Sequence, residues 1–121
     1  MLNQKPKKFQ RSNPQTPSTS WGSVASWYDE YLQDADTYQA KVIAPNLLRI
    51  LDVKTFSNTT RVLDLGCGQG YFVKQILEVS HPQIEGVDVG DELISLAKKH
   101  VGDKAVFTKT SASNLSHIKD H

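Results

Sequence analysis

The chain has 121 residues, with 14 Lys or Arg against 13 Asp or Glu, so its net charge is +1; that length suits one domain. Hydrophobic residues make up 38% and charged residues 22%, as in ordinary soluble globular proteins, and near-neutral charge argues against a dedicated nucleic-acid or membrane-surface binder. There is no apolar run of the length a membrane span needs, and the polar N-terminus is unlike a secretory signal. The single cysteine, Cys67, excludes an internal disulfide and a Cys-rich zinc module, so a reducing cytoplasm is the expected compartment.

Residues 1–11 hold Lys5, Lys7, Lys8 and Arg11 and no acid, while the rest of the chain is net acidic. Pro6, Pro14 and Pro17 stand nearby among Ser, Thr, Asn and Gln. Such a stretch buries too little apolar surface to offset its ordering entropy, which predicts a disordered basic tail over 1–19. Its charge suits a solubilising leader, or a weak contact with RNA or an anionic surface. A helical segment is predicted over 20–56. Ser20 is a candidate cap, and Val24, Tyr28, Tyr31, Ala35 and Tyr38 recur at steps of three and four. Val42, Ile43, Leu47, Ile50 and Leu51 form a second apolar series, which Pro45 should kink or restart. Residues 57–60 read as a loop.

The period then changes. Arg61 to Leu65 predicts a short buried strand, ended by Gly66-Cys67-Gly68-Gln69-Gly70. A helix follows over 71–79 with Phe72, Ile76 and Val79 on one face, and His81-Pro82 breaks it. Ile84 to Asp88 is the second predicted strand. Asp91 is a candidate cap for a helix over 92–100, with Leu93, Leu96 and Ala97 inward. Ala105 to Lys109 is the third strand, and 110–121 read as loop. Strand, helix, strand, helix, strand is the pattern of parallel β-α-β units, whose ligands bind beyond the carboxyl ends of the strands.

Asp64 to Gly70 is the sharpest motif. A glycine turn between strand and helix exposes backbone to a ligand, and the helix N-terminus favours a carboxylate or phosphate. A phosphate-binding loop of Gly, four residues and Gly-Lys-Ser/Thr is absent. A dinucleotide fingerprint needs G-x-G-x-x-G/A, but Tyr71 occupies its last position and Gly70 comes one residue early. The pattern Asp-x-Gly-x-Gly-x-Gly fits at 64, 66, 68 and 70.

Val62 to Gly70 resembles the cofactor motif of class I S-adenosylmethionine-dependent methyltransferases. Gly86-Val87-Asp88 resembles the acidic end of their second strand, and Val106 to Leu115 their third strand and following loop. Trp21 to Asp29 resembles a helix with a Tyr-Asp pair in the small-molecule branch, which includes quinone-biosynthesis enzymes. The resemblance spans about residues 21–119. It implies an α/β, Rossmann-like doubly wound parallel sheet, truncated after the third strand, with N-terminal helices and strand order 3-2-1. Residues 57–121 would be the first half of that domain.

The same resemblance implies S-adenosyl-L-methionine as cofactor. Gly66, Gly68 and Gly70 would pack on its methionyl part, with Cys67 buried in the turn. Asp64 would stand near its ammonium and Asp88 would accept both ribose hydroxyls. Val89 would lie on the adenine face, Ser111 and Ala112 at the adenine edge, and Tyr28 over the cofactor. The family usually has Asp where Ser111 stands, so that contact is expected to be weaker. The four histidines do not pair at metal-ligand spacing, so no metal site is expected. No catalytic base is assigned.

The implied activity is methyl transfer to a small-molecule acceptor. The rival is a non-catalytic cofactor-binding or protein-interaction module, and a nucleic-acid acceptor rests only on the basic tail. The first strand should lie at a sheet edge guarded only by Arg61. The isolated chain is therefore expected to be marginally stable, to self-associate, to bind the cofactor weakly and not to turn over.

Overall fold

A computed structural model describes residues 24–118. The expected tail and Ser20 lie outside the described residues. Helix α1 (Ala25–Gln33) ends where Asp34 turns extended. A π-helical turn (Gln39–Ile43) runs directly into α2 (Ala44–Ile50), with Pro45 in its first turn. Proline is tolerated there because that N–H has no partner within the helix. Then follow β1 (Arg61–Leu65), α3 (Tyr71–Leu77), β2 (Gln83–Asp88), α4 (Asp91–Val101) and β3 (Val106–Lys109).

The three strands form one parallel sheet in the order β1-β2-β3, so β1 and β3 are its edges among the described residues. Register places Val62 beside Ile84 and Gly86 beside Phe107. That face packs on α3 and α4 through Val73, Ile76, Ile94, Ala97 and Val101, with Val53 and Cys67 in the same core. The other face carries Leu63, Glu85 and Val106 in register. It bears a cleft of about 570 Å³ that Ile118 also lines.

Several expectations need correction. β1 is half-exposed rather than buried, with Leu65 53% exposed, because no strand pairs with its outer edge among the described residues. In α1 the inward stripe is Ala25, Tyr28, Asp29 and Leu32, while Tyr31, Ala35 and Tyr38 are exposed. The helix ends at Gln33, so the last two leave the periodic face. The second apolar series is also largely exposed, at Val42, Ile43, Ile50 and Leu51. Helix α3 stops at Leu77, which puts Val79 outside, and Val73 is the buried residue in its stead. Gly90 caps α4 through its backbone, and Asp91 is the first helical residue. There Asp91 favours the positive end of the helix dipole and accepts a hydrogen bond from Lys109 Nζ at 2.8 Å.

Candidate cofactor site

The carboxyl ends of all three strands meet at one place. The turn after β1 is tied to β2, since the Gly66 and Cys67 N–H groups both donate to the Val87 carbonyl, at 2.8 and 3.0 Å. The start of the loop after β3 is tied to β2 as well, Thr110 N–H donating to the Asp88 carbonyl at 2.9 Å. Gly66, Gly68 and Gly70 all have positive φ, +75°, +54° and +82°. L side chains rarely adopt that backbone, which explains three glycines in five residues.

The glycines divide by what surrounds them. A Cβ at Gly66 or Gly68 would meet nothing within 4 Å, so open space lies over both. A Cβ at Gly70 would come within 3.3 Å of Ala97, Val101 and Phe107. Gly70 thus lets α3 start against α4 and β3. Between them Gln69 is 4% exposed, and its Nε2 lacks an acceptor among the described residues.

Asp88 holds the centre. Its Oδ2 accepts the Gly68 N–H at 3.0 Å and its Oδ1 the Gly90 N–H at 2.9 Å. A carboxylate has about four lone-pair sites, so each oxygen can take a further hydroxyl. Asp64, at the end of β1, has its carboxyl pKa raised, first by burial and second by the Asp88 charge. The Cys67 thiol is pushed up to about 12, again mainly by burial and then by both aspartates. It stays neutral and packs in the core. Val89 is exposed beside Asp88.

Ser111 and Ala112 are exposed in the loop after β3. The Ser111 hydroxyl turns onto its own loop, 2.8 Å from that of Ser113, and accepts the Ser113 N–H at 3.2 Å. Tyr28 is half-buried on α1, its ring stacked on Tyr31 with centroids 6.2 Å apart. The neighbouring Asp29 is bound by His100 Nε2 at 2.7 Å. His100 lies nine residues beyond Asp91, about 14 Å along the helix. α1 is therefore anchored on the C-terminal half of α4, the half whose Ala97 and Val101 also pack against Gly70.

Sequence reasoning missed three features here: the Asp88–Gly68 link, the buried Gln69 amide and the Asp29–His100 pair. The first two lie within motifs it had marked. The third joins residues 71 apart, with no local signal. Among the described residues no group of His, Cys, Asp and Glu could hold a metal ion, and no helix is long and apolar enough to cross a membrane.

A three-stranded parallel sheet with a glycine turn after β1 and an acid closing β2 defines a Rossmann-like nucleotide-cofactor fold. A family model for a methyltransferase domain matches residues 56–116, half of the chain. The chain belongs to that methyltransferase-domain family.

A ubiquinone biosynthesis O-methyltransferase of Nitrosospira multiformis is 36% identical over 63 residues, covering 50% of this chain and 26% of that protein. The plantazolicin methyltransferase BamL, solved in complex with a triazolic desmethylPZN analog and SAH, is 28% identical. That match has a TM-score of 0.57 and covers 81% of this chain and 36% of the other. A Methanococcus maripaludis protein assigned as an S-adenosyl-L-methionine-dependent methyltransferase aligns with TM-score 0.65 at 16% identity. It covers 89% of this chain and 48% of the other, and shows the fold. The chain spans about a quarter of the curated relative and less than half of either structure.

Proposed function

We propose that this chain supplies the cofactor-binding wall of an enzyme that moves a methyl group from S-adenosylmethionine to a small-molecule acceptor. The observation that carries this is the Asp88 carboxylate. It reaches back to the Gly68 N–H, 20 residues away in sequence, beside open space over Gly66 and Gly68. The residues fit the cofactor on three counts: a cradle that a side chain would fill, a buried amide donor on Gln69 without an acceptor among the described residues, and a partly buried Asp64 suited to a cationic neighbour.

When bound, S-adenosylmethionine supplies a methyl group on a sulfonium, already a good electrophile. The chain's own part is to bind and orient. Gly66 and Gly68 offer their backbone to the methionyl part, while Gly70 gives the turn its shape and Cys67 fills the core beneath. Asp64 balances the ammonium. Asp88, held by two N–H groups, presents both oxygens to the ribose hydroxyls. Val89 lies against the adenine, with Ser111 and Ala112 at its edge. Tyr28 covers the cofactor from helix α1. Orientation of this kind can lower a barrier by about 7–11 kcal/mol.

A small-molecule acceptor is supported by the ubiquinone-biosynthesis relative and by BamL, which was solved with a triazolic desmethylPZN analog. The lone buried thiol suits a reducing, cytoplasmic setting. Calorimetric titration of the chain with S-adenosylmethionine, S-adenosylhomocysteine, NAD and ATP tests the reading. Binding of the first two only is expected. Specific NAD binding without S-adenosylmethionine binding would overturn it.

A further inference from the structure

Gln39 Oε1, Gln69 Nε2 and Ser80 Oγ are buried with no hydrogen-bond partner among the described residues. A buried polar group left unpaired costs free energy, so each calls for an explanation. Ser80 follows the far end of α3. The two glutamines, one an orphan donor and the other an orphan acceptor, stand elsewhere. Gln69 lies in the glycine turn itself and is 4% exposed. Gln39 opens the π-helical turn ahead of α2. Such turns are rare and often occur at functional sites. Thr37, also buried, holds the start of this one. Its Oγ1 accepts the Ala40 N–H at 3.2 Å and its carbonyl the Lys41 N–H at 3.0 Å.

Topology brings the π-turn toward the glycine-turn end of the sheet. α2 packs on α3 and leads through Val53 and Phe56, both against the core, into the start of β1. Its C-terminal end therefore lies by the amino ends of the strands. Gln39 precedes Leu48, which packs on the same core, by nine residues, about 13 Å along a helix axis. The five residues of β1 span about 16 Å. Gln39 thus stands toward the level of the carboxyl ends, where α3 begins.

Charge says what these two amides meet. No Lys or Arg occurs in residues 62–73 or 75–97. Lys109, at the end of β3, is bound to Asp91, and Lys41 to Asp36. Lys74 is exposed on α3. An anion at the glycine turn is therefore met by neutral donors, while Asp64 beside it suits a cation. A free amino-acid end presents both: a carboxylate that only accepts and an ammonium that only donates.

Given the cofactor reading proposed above, we infer that Gln69 and Gln39 select the amino-acid end of the ligand. The Gln69 Nε2 donates to its carboxylate. The Gln39 Oε1 accepts from its ammonium, alongside Asp64. The pair makes the site discriminate an adenosine that carries a free amino-acid end from one that lacks it.

Calorimetry of the 121-residue chain compares S-adenosylhomocysteine with 5′-methylthioadenosine, which keeps the adenosine and the thioether but has no amino-acid end. The original chain should bind the first roughly tenfold more tightly or better. Gln69→Met, similar in size, should lose about tenfold for S-adenosylhomocysteine and nothing for methylthioadenosine. Gln39→Met should lose roughly threefold in the same pattern. Glutamate separates the two roles. Gln39→Glu should tighten S-adenosylhomocysteine by attracting the ammonium, and Gln69→Glu should weaken it by opposing the carboxylate. Thermal unfolding exposes a folding defect: Gln69→Met removes an unpaired buried donor, so its Tm should not fall. A lower Tm with equal losses for both ligands would mean a structural role and overturn the inference. So would unchanged affinity in both methionine variants, or an original chain that binds the two ligands equally. An original chain that binds neither would sink the cofactor reading itself, and this selectivity with it.

Discussion

Asp64 and Asp88 end neighbouring parallel strands, and the second carboxylate adds to the burial that raises the pKa of the first. A carboxyl whose folded pKa lies above its unfolded value contributes most stability below the ordinary carboxylate range. That contribution is lost as pH rises through the folded pKa. Asp64→Asn should therefore raise Tm near neutral pH and flatten the decline above the ordinary range, as thermal unfolding across pH would show. The same change removes the charge proposed to face the cofactor ammonium, so affinity for S-adenosylhomocysteine should fall about tenfold. Asp88→Ala should cost more. Two charge-assisted hydrogen bonds at about 1.5 kcal/mol each amount to roughly a hundredfold in dissociation constant. Ser111→Ala should change little, because that hydroxyl already serves its own loop. Ser111→Asp should tighten binding. Equal affinities for the original chain and Asp88→Ala would show that the ribose is held elsewhere.

The glycine turn links local backbone to the packing of whole elements. Gly66 and Gly68 border open space while Gly70 abuts α4 and β3. Gly70→Ala should thus cost about 1–2 kcal/mol through strain and overpacking, a fall in Tm of roughly 5–15 °C for a domain of this size. Gly68→Ala should damage cofactor affinity more than Tm. The reverse ranking in paired unfolding and binding measurements would contradict this division. The turn's position and the three strands were legible in the sequence, because strand periodicity and glycine spacing are local. The reason for Gly86 was not. A Cβ there would stand 2.8 Å from the Phe107 ring, a contact made across β2 and β3. The Asp29–His100 pair was equally hidden, since nothing near either residue signals the other. Without it α1 loses its anchor. His100→Ala should lower hydrogen-exchange protection in α1 and leave β2 unchanged, and equal protection in α1 would show that Ala25 and Leu32 suffice.

At the scale of the molecule the two faces of the sheet are unequally covered among the described residues, with Val87 buried at the centre of the less covered one. The helices lie over Ile84 and Phe107, while Leu65 and Val106, 59% exposed, look the other way from the two edges. An edge strand with exposed leucines is an association hazard. Light scattering of the 121-residue chain should show mass rising with concentration, and Leu65→Lys should reduce it. A strictly monomeric chain would mean that the β1 edge is covered. The proposed function makes one central claim: the glycine turn and the end of β2 together recognise the cofactor. Titrating the isotope-labelled chain with S-adenosylhomocysteine, followed by amide NMR shifts, tests it most directly and reads weak binding. Saturable shifts are expected at Gly66, Gly68, Asp88, Val89 and Gly90, and should be lost in Asp88→Ala. Saturable shifts confined to the Leu63–Val106 face, or none at those five amides in a folded chain, would contradict it.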